Sequence, residues 1–379
     1  MKIDWESRAA RLARGITRPG SRWQGPVATI PRHVLVPCWF QPAGSSDGAW
    51  ERCDGRVDEN RWLNAAYSDR SLVTRVGELH ADHATEQPVH GRQTSSATLP
   101  LLVVIMLQYA CIQDDSVVLD VGTGSGYSAA VLARRLGDTQ VTSIDLDPYL
   151  TKVARERLLA IGLRPCLLTG DATGALQERA YDRIVAMTSV RPIPSTWLRA
   201  LKPGGRLVTA IANTGIIITA DTTEAGAAVG QVEWIAGGFM RARHGSDYPP
   251  ALQAVAATAT ATVSRGRYPI PQIPYTWDLG TMMQLAAPGV EHHYRCSDTG
   301  QRTASMVHPD GSWAVATAEG LESPTVRQGG PRRLWDILDE IRDRWLAAGC
   351  EFPIRGARVA IDPDGTCTLT RGTWKATVA

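Results

Sequence analysis

Short apolar runs alternate with helical stretches through the middle of the chain. The segments VVLDV, QVTSID, CLLTG, DRIVAM and GGRLVTAIA are each short enough for a buried strand, and LPLLVVIMLQYA before them predicts a buried helix. Strands that alternate with helices form a parallel sheet covered on both faces, because the crossover helices pack against it. The pattern therefore predicts a doubly wound α/β domain. The segments GIIITA and QVEWIAGGFMRAR are expected to extend or edge its sheet.

The pattern is less regular on both sides of this region. Residues 1–75 combine a helical start with polar, Trp-bearing stretches and predict an irregular mixed region. After DYPP the chain becomes rich in small residues and poor in charge, which indicates a boundary near residue 246. Farther on, PRRLWDILDEIRDRWLAAG predicts an amphipathic helix, and the tail predicts a hairpin that turns at Asp364 and Gly365. We therefore expect an N-terminal region over residues 1–75, the α/β domain over residues 76–245, and a smaller α+β domain over residues 246–379.

Composition narrows the range of partners. The 379 residues include 40 Lys and Arg against 38 Asp and Glu, so the formal charge of +2 does not suggest a nucleic-acid-binding surface. No run approaches the roughly 20 apolar residues of a membrane span. The seven cysteines form no CxxC pair of the kind that supports a disulfide framework or a zinc site. We expect a cytoplasmic protein, with a monomer favoured, that acts on a small or peptidic partner.

The strongest chemical signal lies in VLDVGTGSGY. Its strand ends at Asp120, and glycines follow at positions 122, 124 and 126 before a helix, as is needed where a ligand approaches the backbone closely. The next predicted strand ends at Asp145, near the spacing at which a carboxylate accepts both ribose hydroxyls. GDA at residues 170–172 follows the third strand, where an aspartate can accept a hydrogen bond from an adenine amino group. These features together predict a nucleoside site.

The spacing of the glycines bears on which nucleoside is bound. Dinucleotide sites prefer GxGxxG, whereas this loop has GxGxG with Asp120 before it. An anionic Asp120 is unfavourable beside a pyrophosphate but suits a cationic ligand with an amino group, such as S-adenosylmethionine. An NAD-dependent oxidoreductase and a glycine-rich turn without a ligand are the less favoured alternatives.

A polar stretch, HGRQTSSATLP at residues 90–100, precedes the predicted buried helix. We interpret it as a polar loop. Hydroxyl groups can hold a carboxylate without reducing its charge as strongly as an Arg would, and a carboxylate near its ordinary pKa is already ionised at neutral pH. The candidate residues of this stretch are His90, Thr94, Ser95, Ser96 and Thr98.

Several of these motifs resemble a known group of enzymes. In order and spacing, VVLDVGTGSGY, VTSID, GDATG, YDRIVAMTSV and LKPGGRLV resemble the motifs of class I S-adenosylmethionine-dependent methyltransferases, whose fold is Rossmann-like. More narrowly, PRHVLVP, AYSDRSLV, GRQTSSATLP and GFMRARHG resemble the protein L-isoaspartate O-methyltransferase family. The hydroxyl stretch is two residues longer than the family's pattern. With its extension after residue 245, the chain resembles longer variants that accompany ribosomally made peptides such as graspetides, lanthipeptides and lasso peptides.

The resemblance implies a carboxyl O-methyltransferase that converts S-adenosylmethionine to S-adenosyl-L-homocysteine. The longer variants methylate an L-aspartate in a macrocyclised precursor peptide, and the ester closes to a succinimide (aspartimide) that persists or hydrolyses to isoaspartate. Ser96 or Thr98 would take the place of the family's functional serine, within a catalytic set of Thr94, Ser95, Ser96 and Thr98. Substrate contacts are implied for His90, Thr94 and Ser95. Cofactor contacts are implied for Asp120, Gly122, Thr123, Gly124, Gly126, Tyr127, Asp145, Leu146, Gly170, Asp171 and Ala172.

Two other functions stay open at this point: general repair of isoaspartate in damaged proteins, and a non-catalytic peptide-binding accessory factor with a vestigial cofactor site. No metal is expected, because HHYRC at residues 292–296 lacks further ligands at suitable spacing and the Asp362 to Gly365 segment predicts a turn rather than a calcium loop. The C-terminal tryptophans are expected either in the core or on a peptide-recognition surface; they are Trp313, Trp335, Trp345 and Trp374.

Overall fold

The computed structural model describes residues 4–44, 48–85, 88–245, 252 and 261–378. The boundary predicted near residue 246 lies outside the described residues. The N-terminal helices are α1 (Trp5–Ile16), α2 (Gln24–Ala28), α3 (Arg32–Leu35) and α4 (Glu59–Ala66). The strands of this part are β1 (Cys38–Pro42), β2 (Trp50–Asp54), β3 (Leu72–Val76), β4 (Leu79–His80) and β5 (Gln93–Ala97).

The middle of the chain alternates helices and strands as the apolar pattern predicts. Its helices are α5 (Pro100–Tyr109), α6 (Tyr127–Leu136), α7 (Pro148–Ala160) and α8 (Ser195–Ala200). Its strands are β6 (Val118–Val121), β7 (Val141–Asp145), β8 (Cys166–Thr169), β9 (Tyr181–Val190), β10 (Leu201–Ile211), β11 (Ile217–Thr222) and β12 (Ala228–Val232).

The remaining described chain is richer in strands. Helices α9 (Trp277–Ala286) and α10 (Leu334–Ala347) accompany β13 (Thr262–Arg265), β14 (Glu291–Cys296), β15 (Gln301–Val307), β16 (Trp313–Glu319) and β17 (Thr325–Gly329). The last strands are β18 (Arg358–Ile361), β19 (Cys367–Arg371) and β20 (Trp374–Val378).

A central sheet carries the predicted doubly wound topology. Its parallel strands lie in the order β8-β7-β6-β9-β10, so the chain starts in the middle, winds to one edge and returns to continue the other way. The two windings diverge between β6 and β9, and ligands of open α/β sheets bind at the carboxyl ends of strands beside such a switch point. The predicted α/β class is confirmed, and the order of the strands indicates where the site lies.

The hydroxyl stretch was predicted to be a loop, and this prediction was wrong. Residues Gln93–Ala97 form β5, which pairs antiparallel with β3 in the N-terminal sheet. The polar run is stable as a strand because its hydroxyls bond to β3 and to the residue that follows it. Ser95 Oγ accepts from Thr74 Oγ1 on β3 at 3.0 Å, and Thr94 Oγ1 donates to the carbonyl of Gly77, just after β3, at 2.6 Å. Hydrogen bonding of this kind satisfies polar groups that would otherwise be costly to bury.

The C-terminal chain, predicted as a smaller α+β domain over residues 246–379, contributes strands to two sheets. Strands β13 to β17 form a separate antiparallel sheet, whereas β18 pairs with β12 and, with β19 and β20, extends the central sheet. An unpaired edge at β12 would leave its backbone hydrogen-bonding groups unused, and β18 covers that edge. The predicted turn at Asp364 and Gly365 does join β18 to β19.

Two further expectations can be compared with the described residues. The strand predicted over QVEWIAGGFMRAR is confined to the end of β12 (Ala228–Val232), and the chain beyond it is irregular. The predicted amphipathic helix is α10, which buries Leu334, Leu338 and Ile341. Trp313 and Trp335 are buried, whereas Trp345 and Trp374 remain partly exposed. Among the described helices, none combines the length and the apolar character that crossing a bilayer requires.

Candidate functional site

A narrow cavity lies at the switch point between β6 and β9. It has a volume of about 30 Å³ and lies between the loop that follows β6 and the end of the hydroxyl strand β5. Its lining residues are Ser96, Thr98, Val103, Gly122, Thr123, Gly124, Ser125, Tyr127, Ser128 and Met187. The predicted glycine loop and the predicted hydroxyl residues therefore meet at one place.

Two glycines allow the loop after β6 to lie close to β9 and to Ser96. Gly122 has φ +92°, and a Cβ there would lie 2.9 Å from Thr188 Cγ2 on β9. Gly124 has φ +50°, and a Cβ there would lie 3.5 Å from the carbonyl oxygen of Ser96. Both conformations favour glycine. A side chain at either position would narrow the space between the loop and the strands that face it.

Asp120 is buried within β6, just before the glycine loop, and does not belong to the lining of the cavity. It is fully buried, and its Oδ2 accepts hydrogen bonds from the Ser128 and Ser143 hydroxyls at 2.9 and 2.7 Å. Its Oδ1 has no partner among the described residues. Burial raises the pKa of this carboxyl to about 7, although the two hydroxyls favour the ionised form. The fixed negative charge expected from the sequence is therefore weakened near neutral pH.

The carboxylates predicted to contact a nucleoside lie at the ends of the next two strands. Asp145, at the end of β7, accepts from the backbone N–H groups of Gly124 and Asp147 at 2.8 and 3.0 Å. Gly170 donates its N–H to the Asp145 carbonyl. This bond holds GDA (170–172), the segment after β8, next to Asp145. Asp171 accepts from Thr173 and lies 2.9 Å from His244 Nδ1. Leu146 and Ala172 are partly exposed in the same loops.

The four hydroxyls divide into two pairs. Thr94 and Ser95 are buried and use their oxygens within the sheet, through the bonds to Gly77 and Thr74 described above. Ser96 and Thr98 are only partly buried, and both line the cavity. His90 is exposed and does not belong to the lining. Of the predicted residues in this stretch, Ser96 and Thr98 are thus the two that face the glycine loop.

Arg32 holds the end of the hydroxyl strand in place. The side chain is 1% exposed, and its guanidinium donates to five backbone carbonyls, those of Ala66, Ser68, Arg70, Ala97 and Thr98. Burial lowers its pKa to about 10, so it stays charged at neutral pH. Sequence reasoning missed this residue and Met187, although Arg32 lies within PRHVLVP, one of the stretches that carry the family resemblance.

The residues present fit S-adenosylmethionine. Glycines at 122 and 124 leave open space that a Cβ would fill, and the carboxylates of Asp145 and Asp171 follow adjacent strands on the same edge of the sheet. A carboxylate oxygen that accepts one backbone N–H keeps capacity for a second donor such as a ribose hydroxyl. Within the described ranges, no group of three His, Cys, Asp or Glu side chains is placed to hold a metal ion.

Comparisons with known proteins agree on one family. The profile of protein-L-isoaspartate(D-aspartate) O-methyltransferase (PCMT) matches residues 65–231. A protein-L-isoaspartate O-methyltransferase of Thermococcus onnurineus is 40% identical over 124 residues, which are 32% of this chain and 55% of that protein. Protein-L-isoaspartate O-methyltransferase 2 of Archaeoglobus fulgidus is 36% identical over 212 residues, or 54% of this chain and 79% of that protein. A solved protein-L-isoaspartate O-methyltransferase aligns over 99% of both chains with a TM-score of 0.46 and 15% identity.

The extent of these matches differs along the chain. The alignment spans little more than half of the Thermococcus protein, and the PCMT profile ends before the strands and helices that follow β12. The Archaeoglobus match is long enough to include most of that relative. The chain therefore belongs to the protein-L-isoaspartate O-methyltransferase family, with a C-terminal region that the family profile does not cover.

Proposed function

We propose that this protein transfers a methyl group from S-adenosylmethionine to the free carboxylate of an isoaspartyl or aspartyl residue in a protein or peptide. The observation that carries the proposal is the cavity in which Ser96 and Thr98 face the glycine loop at the switch point. Membership of the family supports the same reaction.

Methyl transfer requires the side chains mainly to align the substrate carboxylate with the methyl group. When bound, S-adenosylmethionine supplies an electrophilic methyl group on a sulfonium. The substrate carboxylate is ionised at neutral pH and needs no general base. Its oxygen forms a bond to the methyl carbon as the carbon–sulfur bond breaks, and the bonding pair stays on sulfur. Holding reactants in line can lower a barrier by several kcal/mol.

We assign that holding to Ser96 and Thr98, which line the cavity. Each hydroxyl can donate one hydrogen bond to a carboxylate oxygen, while the strand backbone that carries them is fixed by Arg32. The glycine loop on the opposite wall leaves room for a group of small size between the two. This division gives substrate binding to β5 and cofactor binding to the loops after β6, β7 and β8.

The finer proposal concerns the substrate. An L-aspartate in a macrocyclised precursor peptide is a narrower target than isoaspartate in damaged proteins, and the family matches favour repair as the general activity. The narrower target is supported by the C-terminal chain, because α9 and β14 form part of a second cavity near the first and lie outside the PCMT match. We propose the precursor peptide as the specific substrate and general repair as the alternative.

Mass spectrometry tests both. The full-length protein is incubated with S-adenosylmethionine and one peptide in each of three reactions. The peptides are a linear isoaspartyl peptide, its aspartyl counterpart and a macrocyclised aspartyl peptide. A gain of one CH₂ on the macrocycle, followed by a species that has lost one water relative to the starting peptide, is expected for the specific substrate. Efficient methylation of unrelated isoaspartyl peptides would instead establish repair.

Calorimetry with S-adenosyl-L-homocysteine addresses the accessory-factor alternative. The full-length protein is expected to bind this product analogue of the cofactor, and the Gly124→Val variant is expected to bind it much more weakly, because its side chain would fill the space above the loop. A wild-type protein that shows no binding would contradict the proposed transfer and favour a non-catalytic role.

A further inference from the structure

A second, larger cavity lies at the same edge of the central sheet. Its volume is about 360 Å³, and it opens beyond the end of β10. The first wall is formed by the β10–β11 turn and Phe239, and the second by α9 and β14. Residues on the second wall lie outside the PCMT match at residues 65–231. The cavity is thus a feature that the common family region does not supply by itself.

The two cavities are neighbours across the end of β9. Met187 on β9 lines the first cavity, and two residues farther along Ser189 donates its hydroxyl to the Phe239 carbonyl at 3.0 Å. The backbone N–H of Ser189 also donates to the Met240 carbonyl at 2.9 Å. Phe239 lines the second cavity. A peptide that presents its carboxylate at Ser96 and Thr98 therefore has the second cavity within reach of a flanking residue.

The chemistry of the lining is neutral. Ile211, Phe239 and Ile273 supply apolar surface, and among the described lining residues none is Asp, Glu, Lys or Arg. His292 is also uncharged at neutral pH, since burial lowers its pKa to about 4. A charged group entering such a site would lose its hydration without gaining an opposite charge from a lining residue. Arg355 contacts the lining at the Trp277 ring, 5.1 Å from its centroid, and lies 4.0 Å from Asp278.

Two buried polar groups in this lining have no partner among the described residues. They are the indole Nε1 of Trp277 and both ring nitrogens of His292. An unsatisfied buried donor or acceptor is costly, so such groups are uncommon unless a ligand or water completes them. Together they offer an N–H donor from the indole and both a donor and an acceptor from the neutral imidazole.

We propose that this cavity is a subsite for an uncharged, hydrogen-bonding side chain that flanks the methylated residue of the peptide substrate. The inference rests on the proposed function and deepens it, because it names the kind of peptide that is selected. A primary amide matches the cavity well: its carbonyl can accept from Trp277, and its NH₂ can donate to His292.

Direct peptide binding tests the subsite. Two macrocyclised peptides are used that differ only in whether Gln or Glu flanks a single aspartyl residue on both sides, and each is titrated by calorimetry into the full-length protein with S-adenosyl-L-homocysteine. The Gln peptide is expected to bind at least about tenfold more tightly, since Glu carries a charge into a neutral cavity. Equal affinities, or the absence of binding by either peptide, would overturn the subsite.

Two variants that remove the polar nitrogens locate the effect. Trp277→Phe and His292→Leu are each expected to weaken Gln-peptide binding about three- to tenfold, the size associated with one hydrogen bond between neutral groups. The melting temperature of His292→Leu should stay level or rise, because the change removes an unpaired buried polar group, whereas Trp277→Phe also leaves a small cavity and should lower it modestly. Matched controls are Trp374→Phe and His293→Gln, since His293 is exposed and neither residue lines the cavity.

The outcomes separate the two proposals. Gln-selective binding that both variants weaken supports the subsite even where no ester forms, and that combination overturns only the proposed transfer. Variants that bind the Gln peptide as tightly as the wild type, while S-adenosyl-L-homocysteine binding is intact, overturn the subsite and leave the transfer standing.

Discussion

The hydroxyls of Thr94, Ser95, Ser96 and Thr98 differ in what their oxygens already contact, and this difference predicts unequal roles in activity. Ser96→Ala and Thr98→Val are expected to lower kcat for methyl transfer about tenfold or more, because each removes a hydroxyl donor from a residue that lines the cavity. Thr94→Val and Ser95→Ala should act mainly on stability, since those hydroxyls bond within the sheet. Steady-state kinetics at saturating S-adenosylmethionine measure the four variants. Small and equal losses in all four would contradict the assignment.

Asp120 makes stability depend on pH in an unusual direction for a carboxyl group. The folded protein keeps a proton on this residue up to about pH 7, whereas the unfolded chain releases it near the ordinary pKa of 3.8. The folded state therefore binds more protons between these values, and stability falls as pH rises through that window. Asp120→Asn removes the cost, so its unfolding free energy should exceed that of the wild type by about 1 kcal/mol or more above neutral pH.

Urea unfolding at about pH 5 and about pH 8 measures the effect of Asp120. The variant and the wild type are expected to differ less at the acidic pH, where the wild-type carboxyl is protonated in the folded state. A difference that is the same at both pH values would show that Asp120 does not titrate as its burial requires.

Arg32 is the residue whose conservative replacement should be most damaging to the architecture of the site. Arg32→Lys offers one ammonium in place of a planar group that reaches five carbonyls, so about 2 to 4 kcal/mol of unfolding free energy should be lost. Urea unfolding provides the measurement. Arg22→Lys is the control, since Arg22 is exposed and should change stability by less than about 0.5 kcal/mol. Equal effects at the two positions would refute the role of Arg32.

At the level of elements, the turn between β18 and β19 packs closely against the backbone at Ile193. Gly365 has φ +94°, and a Cβ there would overlap the carbonyl oxygen of Ile193. Gly372, in the next turn, has φ +59° with nothing within 4 Å of a Cβ. Gly372→Ala should therefore cost only about 1 kcal/mol for its backbone conformation, whereas Gly365→Ala should cost at least about 2 kcal/mol more.

Chemical denaturation compares the two glycine variants directly. Because both residues lie in turns and both have positive φ, the difference between them reports the contact with Ile193. Similar losses in the two variants would mean that the hairpin does not depend on that contact.

The elements also show how far sequence reasoning reached. Strands β6 to β10 could be predicted because each is a buried apolar run, a property that is local in the sequence. Strand β5 was missed because its burial depends on hydroxyl bonds to β3 and to Gly77 just after it, and the hydrophobic periodicity of the sequence does not reveal such bonds. The pairing of β18 with β12 was missed for a similar reason, since the two strands lie more than a hundred residues apart.

The candidate site was predicted unevenly for the same physical reasons. The glycine loop, Asp145 and GDA (170–172) follow strand ends in the sequence, so their common location could be inferred. Ser96 and Thr98 could not be separated from Thr94 and Ser95, because the distinction lies in which hydroxyls already bond to neighbouring chain and which residues line the cavity. Trp277 and His292 come together only through tertiary packing.

For the whole molecule, the division of the C-terminal chain between two sheets predicts cooperative unfolding. One hydrophobic core joins residues of the central sheet, such as Leu119 and Ile184, to residues of the second sheet, such as Met306 and Val326. Differential scanning calorimetry of the full chain should therefore show a single transition, with a calorimetric enthalpy close to the van't Hoff value. Two well-separated transitions would indicate independent domains and contradict the shared core.

The pairing of β12 with β18 also bears on how the protein acquires its structure. During synthesis, β12 leaves the ribosome long before β18 exists. The β12 edge of the nascent sheet therefore lacks its native partner strand while the whole second sheet is synthesised. Contacts of such large sequence separation slow folding, and an exposed strand edge during the delay invites association with other chains. The same arrangement that completes the native sheet thus makes early recruitment of a chaperone advantageous for this protein.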